Sequence, residues 1–366
     1  MTNITSKVIS YKELKDGTYN NVYIPQDDKF PVTSHLTPSL RDALMACPAN
    51  KDDSKTFMYV FVDEDKKEIG RVFLFGTRIK GKDGVYDAQA GLGLEVIEEY
   101  RGESVGAELM LFTTHNNEYD FTLAAGISQM ILPMYRKLKY HLFEVPQYFK
   151  VTNARFEVKS LGLKSQLSRG WKNIMLKIKD IPNHIKYKRL KNQLFIKKEA
   201  IVPEWVTEMV ANDDHQFMEV HDREWFQWNL DHNTYGYDED IQSFYSISDR
   251  DNKPIGFFMT KERIIKKPGR NYGFIIGTVV EWESINKSAL SEADINLLAM
   301  YSFSKKIDAI FTLACESGTS SQLMQMGFKK RASYKAGVKD KKKQIENIGN
   351  QNLWRLRYGM TNMIIL

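Results

Sequence analysis

Residues 98–109 read EEYRGESVGAEL, and four of them are of types that handle anions: Arg101, Gly102, Ser104 and Gly106. The stretch follows an alternating run, AQAGLGLEVI (88–97), and precedes Val105, Leu109 and Phe112 at helical spacing, so it stands where a strand turns into a helix. A helix start offers backbone N–H groups with no intrahelical acceptor and the positive end of the helix dipole. Glycine at that point lets the backbone approach a bulky diphosphate, and a serine hydroxyl adds a donor.

Two commoner phosphate motifs fail on their own mechanics. GTRIKGKD (76–83) approaches GxxxxGK[ST], but Asp83 replaces the magnesium-binding hydroxyl and a strand follows, so a hairpin turn is expected. GLGLEV (91–96) has no third glycine and lies within a strand, so it opens no dinucleotide-binding βαβ unit. Its glycines mark either a bulge or a place where a ligand lies against the strand.

The surrounding elements are legible from period. TFMYVFVD (56–63) and RVFLFGTRI (71–79) alternate as a hairpin, AQAGLGLEVI is a third strand, FTLAAGI (121–127) a short strand and QMILPMYRKLKY (129–140) a second helix. The second half repeats the order. FYSISD (244–249) and PIGFFMTKER (254–263) form a hairpin, FIIGTVVEW (274–282) a third strand, and SEADINLLAMYSFSKK (291–306) a helix with a Ser-x-x-Asp start. DAIFTLA (308–314), SSQLMQMGF (320–328) and WRLRYGMTNMIIL then read as strand, helix and closing strand.

VIEEYRGESVGAEL resembles the pyrophosphate-binding loop of the GNAT superfamily of acyl-CoA-dependent N-acyltransferases, whose pattern is Q/R-x-x-G-x-G/A. Arg101 and Gly106 match it, and Ser104 replaces its first glycine. PMYRKLKYHLFE is similar to the family's tyrosine-containing helix and its ending, Y-x-K-x-G-F: Tyr135 and Lys137 match, Lys139 stands for the glycine and Tyr140 for the phenylalanine. The paired motifs span roughly residues 56–150 in the family's order. In the second copy QLMQMGF resembles the helix ending, but no R-x-x-G-x-G precedes its helix and Leu323 occupies the place of Tyr135. The layout resembles bacterial tandem GNAT proteins of polysaccharide and amino-sugar acylation.

The resemblance implies an α+β (α/β) fold of tandem GNAT-like domains, each a mixed, mainly antiparallel sheet flanked by helices, the second degenerate. The expected divisions are an acyl-CoA-binding domain at 1–159, a basic connector at 160–203 and a degenerate domain at 204–366. It also implies acyl-CoA, acetyl-CoA in the first place, as co-substrate, with the pyrophosphate on Arg101, Gly102, Glu103, Ser104, Val105, Gly106 and Ala107. The pantetheine arm would run beside Leu94, Val96 and Ile97, and a backbone N–H near Val96 would hold the oxyanion. Tyr135 would hydrogen-bond the departing thiolate. Glu95 or Asp87 would serve as base, while Glu98 and Glu99 read as solvated turn residues.

The acceptor implied is a small amine, possible sugar amines included, attacked directly without a covalent enzyme intermediate. The alternatives are acylation of a nucleic-acid base or protein amine, and a CoA-binding module without catalysis. The acidic, aromatic HDREWFQWNLDHNTYGYDED (221–240), expected where the halves meet, either stacks Trp225 and Trp228 on a sugar ring or packs them into a core. His215, His221 and His232 lie nearby without compact ligand spacing, so no metal is expected.

Composition bounds the rest. With 366 residues, 42% hydrophobic, the chain supports folded domains. No apolar run is long enough to span a bilayer and Met1 to Leu14 has no signal-peptide pattern, so a cytoplasmic protein with no membrane partner is expected, as monomer or homodimer. The two cysteines, Cys47 and Cys315, form no metal motif and read as core or surface thiols. Net charge is +6, with basic clusters at 177–198 and 339–343 that either grip phosphate or are solvated. Nucleic acid is not the favoured partner, because acidic residues nearly match basic ones.

Overall fold

The structure is a computed structural model, and it describes residues 4–19, 38–116, 118–157, 163–232, 240–265, 273–314, 317–331 and 333–360. Cys315 and residues 233–239 and 361–366 of the stretches discussed above lie outside the described residues. In chain order the elements are β1 (Thr5–Ser10), α1 (Tyr11–Lys15), α2 (Pro38–Met45), β2 (Thr56–Val62), β3 (Glu68–Gly81), β4 (Gly84–Val96), α3 (Val105–His115), β5 (Phe121–Ala125), α4 (Leu132–Lys137) and β6 (His141–Val145). Next come β7 (Gln147–Val151), α5 (Leu163–Lys191), β8 (Phe195–Glu199), α6 (Trp205–Ala211), β9 (Phe217–Glu219) and α7 (Arg223–Asp231). The chain continues through β10 (Ile241–Ser248), β11 (Pro254–Ile264), β12 (Ile275–Ser284), α8 (Glu292–Met300), β13 (Ala309–Leu313), α9 (Ser317–Gln325), β14 (Lys329–Lys330), β15 (Tyr334–Asp340) and β16 (Trp354–Arg355).

These elements sort into two compact units. The first comprises Met1–Glu144, His215–Val220 and Lys335–Arg355. Its sheet runs β1-β2-β3-β4-β5-β15-β6, with β9 added to β3 and β16 to β9. Strands β1 to β4 are antiparallel neighbours, and β4 and β5 are parallel. The expected hairpin turn forms at Gly81–Gly84. On one face α3 lays Val105 and Leu109 against Tyr59, Ile69, Val72 and Leu74. Gly70 permits the close approach, since a Cβ there would stand 2.6 Å from Val105 Cγ1.

The second unit comprises Val145–Asp214, His221–Tyr334 and Leu356–Leu366. Its sheet runs β8-β10-β11-β12-β13-β7-β14, again antiparallel up to β12 and parallel between β12 and β13. The two sheets therefore follow one plan. Each takes the strand beside its short parallel strand from the other half of the sequence: β15 pairs with β5 in the first unit, and β7 with β13 in the second.

This exchange corrects the continuous domains expected at 1–159 and 204–366. Backbone pairing ignores sequence distance, and the edges that β5 and β13 offer are filled by β15 and β7 respectively. The expected connector at 160–203 is also corrected: α5 and β8 belong to the second unit. Helix α5 is anchored by polar residues, with Asn173 accepting from Ala154 N–H at 2.7 Å, Asp180 from Lys150 at 2.5 Å, and Asn183 donating to the Met326 carbonyl at 3.0 Å. The expected closing strand is limited to Trp354–Arg355, and residues 356–360 are buried without strand pairing.

The basic run 339–343 is partly structural rather than a solvated loop. Lys339 donates to the Leu138 carbonyl at 2.9 Å, and Lys341 to the Asn116 carbonyl at 2.7 Å. Burial pushes the Lys341 ammonium down to about 8 from 10.5, against the opposing pull of Asp120 and Glu118. Between those values the unfolded chain holds a proton that the folded chain has released, so this group's contribution to stability rises with pH through that window. Urea denaturation of Lys341→Gln should show a flatter stability profile from pH 8 upward than the parent chain. Parallel profiles would remove the assignment.

Candidate functional site

The site begins where β4 outruns its neighbour. Strands β4 and β5 pair only through Ala88↔Phe121, Gln89↔Thr122 and Ala90↔Leu123, whereas β4 continues to Val96. The closed end is fixed by Gln89, which is wholly buried: it donates to the Thr113 carbonyl at 2.5 Å and to Thr122 Oγ1 at 3.1 Å, and accepts from Asn116 Nδ2 at 2.8 Å. Past Ala90, β5 pairs with β15 on its other side, and the β4 edge facing β5 has no strand partner among the described residues.

That edge carries the glycines singled out in the sequence. Gly93 has φ +58°, and Gly93 and Leu94 together oppose Val72, so the bulge reading of GLGLEV holds. The bulge resets the alternation of hydrogen bonds. Ile97 N–H donates to the Ile69 carbonyl at 3.0 Å, which turns the amide and carbonyl of Val96 away from β3. The Val96 carbonyl accepts from Arg101 Nε at 3.1 Å on that side. The Val96 amide thus points to the open edge, whereas the Ile97 amide is taken and its side chain is core. Leu94 and Val96 pack partly against the α3 core.

The loop leads straight into α3. Arg101, Gly102, Glu103 and Ser104 are exposed, and Gly102 has φ +108°, which disfavours any other residue there. The amides of Arg101 and Glu103 close the turn on the carbonyls of Glu98 and Tyr100, which corrects their assignment as phosphate donors. Ser104 stands at the N-cap without capping α3; its hydroxyl bonds the Glu108 carboxylate. The N–H groups of Gly102, Ser104, Val105, Gly106 and Ala107 have no acceptor among the described residues, as a helix start requires.

Tyr135 lies on α4, edge-on to Tyr140 at 4.8 Å between ring centres, and its hydroxyl has no partner among the described residues. Burial, then Tyr140, raises its phenol above the ordinary range, so it remains a proton-bearing donor. Tyr140 shares a hydrogen bond of 3.1 Å with Thr114 Oγ1. Lys139, at the place of the family's glycine, has φ +59°, so the left-handed turn survives the substitution.

The carboxylates separate. Glu95 faces Arg71 across the β3–β4 ladder, and Arg71 is buried beside Glu68 and Tyr19. This cation, absent from the sequence reading, is drawn to Glu95 as well as to Glu68 and Tyr19. Asp87 is exposed opposite Arg78, nine residues before Val96, or roughly 30 Å along the strand. It cannot serve the loop end as a base. Trp225 and Trp228 are 6% and 5% exposed, and Trp225 stacks on His221 at 3.9 Å, so of the two readings of these tryptophans the structure shows packing.

The second unit repeats the divergence, since β12 and β13 pair only through Ile276–Thr278. There the site is filled. Ser291 and Asp294 form a capping box on α8, Glu292 binds Arg357 at 2.5 Å, and Arg357 lies over Trp282 at 4.0 Å. An anion has no place at a helix start already occupied by carboxylates.

No family model and no curated protein matches the sequence. Solved structures do. The chain is similar to yeast (Saccharomyces cerevisiae) N-myristoyltransferase with bound myristoyl-CoA at TM-score 0.57 and 12% identity, covering 93% of this chain and 83% of that one. A probable N-acyltransferase of unknown function from Enterococcus faecalis gives 0.53 and 13%, covering 92% and 72%. A GCN5-related N-acetyltransferase from Anabaena variabilis gives 0.54 and 10%, covering 92% and 73%. The likeness is one of fold: two GNAT-like units in tandem, each a mixed sheet flanked by helices.

The two loop glycines should respond oppositely to substitution. Gly106→Ala adds a Cβ 3.6 Å from Val96 within a helix and should stabilise by about 0.5–1 kcal/mol, while Gly102→Val at positive φ should cost about 1–3 kcal/mol. Equal effects in urea titrations would refute the loop geometry.

Proposed function

We propose that the first unit binds an acyl-CoA and transfers its acyl group, acetyl in the first place, to a small amine. The observation that carries this reading is the open β4 edge beyond Ala90, followed directly by the unfilled start of α3. The pyrophosphate would rest on the N–H groups of Gly102 and of Ser104 to Ala107, and the pantetheine arm would extend the sheet along β4. Val96 N–H would hold the carbonyl oxygen as it becomes an oxyanion.

The amine lone pair forms the C–N bond, the tetrahedral intermediate collapses, and the C–S bond breaks to release CoA thiolate. Tyr135 O–H would bond that sulfur. Full transfer of the phenolic proton is disfavoured by its raised pKa, so the hydrogen bond carries the role. The amine's proton goes to water or to Glu95; an amine near pKa 7.7 is already partly neutral at pH 7, which lessens the demand on a base. With Trp225 and Trp228 buried, nothing remains in their favour as a sugar platform, and the acceptor is proposed only as a small amine.

Thermal melts with acetyl-CoA and with myristoyl-CoA test the reading and the acyl length together. Ligand at about 100 times its Kd adds about 2.7 kcal/mol and should raise the midpoint by several degrees, an effect lost in Gly106→Trp. No shift with any acyl-CoA or CoA would leave α3 an ordinary helix start and end the proposal.

In a turnover assay Tyr135→Phe should lower kcat about tenfold, equivalent to about 1.4 kcal/mol, with KM for acyl-CoA unchanged. An unchanged kcat would remove Tyr135 from the mechanism.

A further inference from the structure

Helix α5 is apolar on the face that it turns away from its own unit as well as where it docks. The side turned toward that unit carries Asn173, Asp180 and Asn183, which make the anchoring hydrogen bonds, and Tyr187 and Leu190, which pack against the core. The opposite side carries Leu167, Trp171, Ile174, Ile178, Ile181 and Ile185, spaced by alternating fours and threes and each 50–69% exposed. At 1.5 Å per residue that stripe is roughly 27 Å long. Among the described residues no helix is long and apolar enough to cross a membrane, so the stripe is a surface feature.

Its charge selects the occupant. The helix has nine Lys and Arg and one acid, Asp180, which faces inward onto Lys150 and Tyr301. At 100° per residue, exposed Lys177 and Lys188 flank one side of the stripe, and exposed Lys164 and Arg189 the other. A second copy of the helix would meet this rim with like charge, although the spacing suits a coiled coil. A planar anionic surface satisfies both features, because the stripe enters the headgroup boundary while the lysines reach phosphate. Beside the stripe lies a cavity of about 710 Å³ lined by Met175, Met324 and Phe328, where Lys172 and Lys329 pair with Glu157 and Lys177 adds a further cation.

We propose that α5 is a membrane-surface helix that docks this protein on anionic lipid bilayers through its apolar stripe. This departs from the expectation of no membrane partner. It is independent of the acyl-transfer reading.

The test is flotation of the full chain with vesicles of phosphatidylcholine alone or mixed with phosphatidylglycerol. The parent chain should float with the anionic vesicles, at least tenfold less with neutral ones, and less again at high salt. Ile178→Glu and Trp171→Glu, both at exposed positions and checked for unchanged melting, should abolish flotation, and Lys177→Gln should weaken it about fivefold. No flotation with anionic vesicles overturns the proposal. So does flotation that survives both glutamate variants, which would reduce the contact to charge. A dimer in sedimentation that Ile178→Glu abolishes, without vesicle binding, would assign the stripe to a second copy.

Discussion

The candidate site depends on how short the parallel pairing of β4 and β5 is. Only Ala88 to Ala90 of β4 are matched, and Gln89 secures that closed end by satisfying both ends of its amide with Thr113, Thr122 and Asn116. A wholly buried amide with every partner in place fixes one geometry, since an unmet hydrogen bond there costs about 1–3 kcal/mol. The rest of β4 must then leave β5. Its backbone toward that side is left for something other than a strand, and the Gly93 bulge turns Val96 N–H to face the opening.

The second unit shows what closes such a site. The same divergence lies between β12 and β13, yet Glu292 and Asp294 occupy the first turn of α8, and Arg357 bridges Glu292 and Trp282. His221 and Glu281, both buried, bond at 2.9 Å beneath the stacked Trp225 ring. A fold can therefore repeat while its ligand chemistry does not, because the helix start binds anions only if its own side chains leave it vacant. In α3 the nearest acid, Glu108, is held by the Ser104 hydroxyl rather than by the backbone amides.

Much of the architecture was legible in local pattern. The alternation of TFMYVFV and the hairpin PIGFFMTKER became β2 and β11, and Ser291-x-x-Asp294 became the capping box of α8, because period and capping are local properties. The strand exchange was not legible, since β7 and β15 are chosen by the open edges of β13 and β5 and not by their neighbours in sequence. Nor was α5, which was expected only as a basic connector: which of its faces turns inward is decided by Asn173, Asp180 and Asn183 hydrogen-bonding, and Tyr187 and Leu190 packing, with partners elsewhere in the chain.

For the site, the sequence alone determined the strand-to-helix turn, its glycines and the helix start, because backbone freedom and helix termini belong to a few consecutive residues. It also marked Tyr135 and the turn at Lys139. Tertiary structure decided which of those groups are available: Ile97, Arg101 and Glu103 lose their amides to Ile69, Glu98 and Tyr100. It placed Arg71 opposite Glu95, and it buried Trp225 and Trp228. Availability depends on what packs or pairs from elsewhere in the chain, and no window of sequence contains that.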